Sequence, residues 1–218
     1  MTTVSPPKEL QEGRDETGVR ARILDAAFAA FMKSGYAATS TLEIATRARV
    51  SKRELYALVG NKQEMLIACI SDRATRLQVP ADLPVPQDRE TLAQVLAAFG
   101  TQVVREITDP TVIAVFRLAI GEAVQASEVA RALNSIGREA SRAGLRKIMA
   151  EAQASGLLTG RPAELAAQFT GLLWQDLMVS LLLGVAERPN PRETAGRAGD
   201  AAAAFLQLHP PPKEHAPE

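Results

Sequence analysis

The sequence predicts an all-α protein. Its 218 residues are 46% hydrophobic but only 4% aromatic, and alanine and leucine outweigh β-branched runs, a balance that favours helices over sheets. Apolar residues recur at helical spacing along most of the chain, and no stretch alternates with the period of a strand. Helix-start signals recur too: Ser40 stands three residues before Glu43, Ser51 before Glu54, and Asn61 before Glu64. The first two pairs are capping boxes, in which hydroxyl and carboxylate satisfy orphan amides reciprocally. The third is an N-cap with a glutamate in the same place.

In chain order, residues 1–18 mix proline, glycine and both charge signs without an apolar period and read as a disordered tail. RARILDAAFAAFMKSG, from Arg20, predicts a first helix with Ile23, Leu24, Ala27, Phe28 and Phe31 on one stripe and Gly35 as its stop. The three cap signals then predict short helices over 41–48, 51–59 and 62–77, which closes an N-terminal head over 19–77. QVPADLPVPQD, residues 78–88, is too rich in proline to continue a helix and reads as a linker. Beyond it, a body over 89–208 predicts a helix at 89–107 and one opened by Asp109-Pro110 that runs to about 126, carrying Val112, Ile113, Phe116, Ile120 and Val124. A long helix over 128–155 follows, stopped by Gly156. Pro162 opens ELAAQFTGLLWQDLMVSLLLG, and a last helix covers 192–208. Residues 209–218 read as a second, proline-rich disordered tail.

Composition narrows the function. The single cysteine, Cys69, allows no internal disulfide and suits a reducing cytoplasm. The first 18 residues contain no apolar stretch, so no signal peptide is expected. The most apolar segment, GLLWQDLMVSLLLGVA from Gly171, contains Asp176 and falls short of the about 20 residues that span a bilayer, so no membrane partner is expected. Both histidines, His209 and His215, lie in the tail. With no glycine-rich phosphate loop and no metal-ligand spacing, neither a cofactor nor a catalytic centre is expected, although residues distant in sequence can converge in space. Net charge is zero but unevenly spread: residues 19–77 hold ten Lys/Arg against five Asp/Glu, and the remainder fifteen against twenty. A basic head on an acidic body points to a polyanion partner for the head alone.

The stretch RARVSKRELYALVGNK, residues 47–62, packs five basic residues into sixteen positions across two short helices and a turn. At 100° per residue, Leu55, Leu58 and Val59 fall on one side of the second helix and Lys52, Arg53, Tyr56 and Ala57 on the other. Two short helices joined by a tight turn form a helix-turn-helix, whose second helix enters a DNA major groove. Lys52 and Arg53 sit at that helix's N-terminus, where phosphate oxygens also meet free amides, and Lys62 opens the next helix within reach of a backbone phosphate. Each residue also has a plainer use: Ser51 as a cap, Tyr56 as a surface aromatic, the lysines as solvated charges, and Arg53 in a weak ion pair. Their combination on one face after a capped turn favours DNA.

ILDAAFAAFMKSGYAATSTLEIATRARVSKRELYALVGNKQEML resembles the DNA-binding domain of the TetR family of transcriptional regulators. The matching elements are the apolar first helix, Gly35-Tyr36, the Thr/Ser run, Ile44-Ala45, Val50-Ser51 with a basic residue, Leu55-Tyr56 and Lys62. More loosely, FRLAIGEA, EVARAL and LAAQFTGLLWQDL resemble a large AcrR/AefR-like branch of that family. The resemblance implies phosphate-backbone contacts from Ser40, Ser51, Lys52, Tyr56 and Lys62, and a base-reading position at Arg53. Two departures stand out. Arg49 occupies the turn position where the family has glycine, at a cost of about 1–2 kcal/mol in a left-handed conformation, and adds a cation beside the groove. Leu58-Val59 replaces an aromatic pair or His-Phe.

The resemblance further implies a repressor that binds a palindromic double-stranded DNA operator as a homodimer and is released by a small-molecule effector held in the C-terminal domain. TGLLWQDLMVSLLL and AGDAAAAFLQL are the helices suited to a four-helix dimer interface, or else to the chain's own core. Candidate pocket residues are Phe99, Val103, Phe116, Ile120, Met149, Trp174 and Met178, with Gln102 and Gln175 as polar contacts, which favours an apolar or aromatic effector. Two other readings remain: an all-α carrier or interaction module that does not bind DNA, and a small-molecule enzyme.

Overall fold

A computed structural model describes residues 8–74, 83–124 and 126–211, and every regular element in them is helical. They form two compact units, one holding the residues up to Asp72 with Leu118–Ile136, the other Arg73–Arg117 with Gly137 onward.

The first unit opens with α1 (Lys8–Ser34), which starts ten residues before the end of the stretch expected to be a tail. KELQE, at its start, consists of strong helix formers, and this outweighs the lack of an apolar period. The expected stripe is inward: Ile23, Ala27 and Phe31 are fully buried, and Leu24 and Phe28 half-buried. Gly35 ends the helix with φ 81°, a conformation that glycine adopts without a Cβ penalty. Then come α2 (Thr41–Ala48), α3 (Lys52–Leu58) and α4 (Lys62–Ala74), matching the predicted starts to within a residue. Residues 75–82, which include the rest of the predicted fourth helix and the first five residues of the linker, lie outside the described residues. Ile44, Leu55, Met65, Leu66 and Cys69 close the core over α1.

The second unit is built on α5 (Arg89–Ile107), started by a capping box in which Asp88 and Thr91 bond reciprocally. It packs along α11 (Pro191–Leu208). Gly100 permits this approach: a Cβ there would stand 3.2 Å from Ala198 Cβ and from Leu173 Cδ1. Leu96, Phe99, Ile148, Phe169 and Phe205 form the centre of this core.

The remaining helices depart from expectation in three places. α6 (Pro110–Gly121) stops five residues early, so Ile120 (60% exposed) and Val124 (96% exposed) do not continue an inward stripe. The long helix expected over 128–155 divides into α7 (Ser127–Ala132), a π-helical stretch (Leu133–Arg138) and α8 (Glu139–Ala154). Asn134, Ser135 and Gly137 are weak helix formers at the irregular stretch. The segment opened by Pro162 is also two helices, α9 (Pro162–Trp174) and α10 (Leu177–Leu183), bent by 54°. The break is at Gln175, which has φ 44° and ψ −122°. Arg197 on α11 donates to the carbonyls of Leu173 and Trp174 at 3.2 and 3.5 Å, satisfying groups that the broken helix leaves open. Among the described residues no single helix is long and apolar enough to cross a membrane.

Candidate nucleic-acid interface

The head presents α2 and α3 as a helix-turn-helix with both starts capped. Ser40 Oγ accepts the Glu43 N–H and Ser51 Oγ the Glu54 N–H, each at 3.1 Å. Between them the turn Ala48-Arg49-Val50 closes as a Schellman motif: the Val50 N–H bonds the Ala45 carbonyl at 3.1 Å and the Arg49 N–H the Thr46 carbonyl at 3.2 Å. Arg49 takes φ 57° and ψ 48°, the left-handed conformation expected of it, with its side chain exposed.

On α3, Leu55 is fully buried while Leu58 and Val59 are half-buried. Lys52, Arg53, Tyr56 and Ala57 are exposed on the other side, as their spacing requires. Tyr56 is 47% exposed, and its hydroxyl lies 3.2 Å from Thr41 Oγ1 at the start of α2. This hydroxyl pair ties the outer face of α3 to the first turn of α2. Sequence reading did not single out Thr41, whose role depends on a contact fifteen residues away. Arg47, in the last turn of α2, adds an exposed cation that was also not singled out.

At the next helix start, Asn61 Oδ1 accepts from the Gln63 and Glu64 amides at 2.9 and 3.0 Å, and Glu64 returns a bond to the Asn61 N–H at 2.7 Å. The reciprocal bond is therefore found at this third signal, whereas at Ser40 and Ser51, expected to be capping boxes, the serine hydroxyl bond stands without a return bond from Glu43 or Glu54.

Lys62 departs from the expectation of a phosphate contact. Its Nζ donates to the carbonyls of Tyr36, Ala37 and Thr39 at 3.0, 3.3 and 3.2 Å and lies 4.5 Å from the centroid of the Tyr36 ring. An ammonium has three donors, and here all three are turned inward onto the α1–α2 loop. The signal was invisible in the sequence because the partners are backbone carbonyls more than twenty residues away. Tyr36 is 5% exposed and tilted against Phe31, with ring centroids 5.5 Å apart. Burial raises the pKa of its phenol, and the nearby carboxylates of Glu128 and Glu122 raise it further.

The residues proposed for an effector pocket separate. Phe99, Val103 and Met149 are buried in the core of the second unit, with Phe116, Trp174 and Met178 partly buried against it. Gln102 is half-buried on α5. Ile120 does not join them: it lies in the last turn of α6, is exposed, and belongs to the first unit. Gln175 is exposed at the α9–α10 break, where it lines an open cleft of about 520 Å³ with Glu187, Glu193, Arg197 and Asp200.

A capped helix-turn-helix with a cationic outer face, joined to an all-helical body, defines a helix-turn-helix transcriptional regulator. Residues 23–69 match the family model for bacterial regulatory proteins of the tetR family, and residues 94–209 that for the C-terminal domain of AefR-like transcriptional repressors. The chain belongs to the TetR family. Solved structures agree. The flavonoid-responsive regulator FrrA is 27% identical with a TM-score of 0.75, over 90% of this chain and 99% of its own. A TetR transcriptional regulator from Agrobacterium tumefaciens is 28% identical with a TM-score of 0.73, over 89% and 96%. One from Pseudomonas syringae pv. tomato is 26% identical with a TM-score of 0.64, over 87% and 96%. A comparison with curated proteins found no match.

Proposed function

We propose that this TetR-family regulator is a repressor that binds a palindromic operator as a homodimer and leaves it when a small molecule occupies the second unit. The observation that carries the reading is the outer face of α3, where Lys52, Arg53 and Tyr56 stand exposed between the Ser51-capped start of α3 and the Asn61-capped start of α4. Ser40, Ser51, Lys52 and Tyr56 hold phosphates, Arg53 reads a base edge, and Arg49 adds charge beside the groove. A homodimer would place two such faces about one helical turn apart on DNA. Its interface uses the outer sides of α10 and α11, where Val179 and Leu183 are exposed and Ala195, Gly196 and Ala203 form a shallow surface. Exposed apolar side chains beside small residues suit close helix packing.

The effector is apolar or aromatic. The chemistry of Phe99, Phe116, Met149, Trp174 and Met178 supports this, and so does the likeness to a regulator named as flavonoid-responsive. To release DNA it must bind the released conformation more tightly than the bound one.

Selection of duplexes from a random library by the purified chain tests the reading. Enrichment of one inverted repeat that binds two chains, with affinity lost on adding flavonoids, is the expected result. Failure to enrich any sequence, even at low salt, overturns DNA binding; a site occupied by one chain overturns the homodimer.

A further inference from the structure

Two opposite charges meet on one peptide group of the head. The carbonyl of Tyr36 accepts from Lys62 Nζ at 3.0 Å, and the N–H of the same peptide unit, that of Ala37, donates to Glu122 Oε1 at 3.1 Å. Lys62 is the first residue of α4, and Glu122 follows the last residue of α6. The ammonium draws electron density toward the carbonyl oxygen and makes the amide proton a better donor to the carboxylate. The sequence prepares the approach. Gly35 offers a bare backbone, and a Cβ on it would stand 3.0 Å from Glu122 Oε1.

What this peptide controls follows from where the loop leads. Residues 35–39 connect α1 to α2, and Thr39 is pinned by its hydroxyl, which donates to the carbonyls of Gly35 at 2.7 Å and Ala30 at 3.2 Å. The next residue, Ser40, caps α2, and Thr41 makes the contact with the Tyr56 hydroxyl on α3. The orientation of the outer face of α3 is therefore referred back to the clamped loop.

We propose that Glu122 is a positioning residue for DNA binding: with Lys62 it clamps the Tyr36–Ala37 peptide, and so sets the start of α2 and the placement of Tyr56. This assigns a task to the glutamate of FRLAIGEA. The proposal rests on the reading of the head as a DNA-binding surface.

The sign of the effect separates this proposal from plain electrostatics. Removing a carboxylate from a basic head should tighten binding to a polyanion if the carboxylate does nothing else. A positioning role gives the opposite sign. The test measures affinity of full-length wild type, Glu122→Ala and Glu122→Gln for a duplex of the wild type's own selected sequence, over a range of salt. Exchange of the Ala37 amide proton is followed by NMR without DNA. Glu122→Ala should bind about tenfold more weakly, with an unchanged slope of log affinity against log salt, since Glu122 touches no phosphate. Glu122→Gln should recover part of the loss, because its amide oxygen still accepts from Ala37. Ala37 exchange should accelerate in Glu122→Ala and less in Glu122→Gln. Equal or tighter binding by Glu122→Ala overturns the proposal. So does weaker binding that tracks a lowered melting temperature with no recovery in Glu122→Gln. If the wild type selects no DNA, the regulator reading fails, while the Ala37 exchange rates still decide whether the clamp exists.

Discussion

The Lys62 ammonium lies 4.5 Å from the centroid of the Tyr36 ring and donates to the Tyr36 carbonyl at 3.0 Å, so one cation holds both the side chain and the backbone of the same residue. Lysine at this position therefore contributes to the head's stability. Lys62→Met keeps most of the aliphatic stem but leaves the carbonyls of Tyr36, Ala37 and Thr39 without the ammonium. It should lower stability by about 1–3 kcal/mol in urea denaturation. The salt slope of operator binding should stay where it is. A slope reduced by about one would instead place Lys62 on a phosphate.

Tyr36 makes stability depend on alkaline pH. Burial, then Glu128 and Glu122, raises its pKa in the folded protein above the usual value for tyrosine. The folded state then holds the phenolic proton more tightly than the unfolded state. Stability from this source is complete below about pH 10 and is lost as pH rises through the folded-state pKa. Melting temperatures from pH 8 to 11 should fall more steeply in the wild type than in Tyr36→Phe, which has no phenol to ionise. Parallel curves would show that Tyr36 titrates as it does in water.

The elements that could be read from sequence are those whose physics is local. The starts of α2, α3 and α4 depend on Ser40, Ser51 and Asn61 meeting amides three residues away, and spacing alone places them. The outward set Lys52, Arg53 and Tyr56 follows from one buried leucine, Leu55, and the helical period. What escaped depends on partners far along the chain. Lys62 turns to carbonyls twenty-three to twenty-six residues back, and Glu122 to an amide eighty-five residues back. The break at Gln175 is capped from Arg197, and nothing in WQDL marks it. Ile120 fits the apolar period of α6, but it lies in the last turn of that helix with its side chain exposed.

Arg49 holds φ 57° with its backbone amide bonded and its side chain exposed, so glycine can take the same place without loss of a contact. Arg49→Gly should raise stability by about 0.5–1 kcal/mol: relief of left-handed strain is partly offset by the greater entropy of glycine in the unfolded chain. Operator affinity should stay equal or weaken, because a cation beside the groove is gone. Lower stability in urea denaturation would show that the arginine side chain has a structural contact worth more than the strain.

Gln175 is the second non-glycine residue with positive φ, and its ψ of −122° takes it further from the ordinary left-handed basin than Arg49. Strain of this kind costs about 1–3 kcal/mol and persists only where surrounding contacts impose it. Here the imposing contact is Arg197, whose guanidinium bonds the carbonyls of Leu173 and Trp174 and so fixes the end of α9. Two substitutions separate the strain from its cause. Gln175→Gly should raise stability by about 1 kcal/mol or more while leaving helix content by circular dichroism unchanged, since the break stays and only its cost falls. Arg197→Met should lower stability by about 1–2 kcal/mol by leaving two carbonyls without their donor. In the double variant the gain from glycine should shrink, because without Arg197 the contact that imposes the strained conformation is gone. If Gln175→Gly destabilises the chain, the exposed glutamine side chain holds the bend itself, and the break is a built feature of Gln175 and not a strain imposed on it.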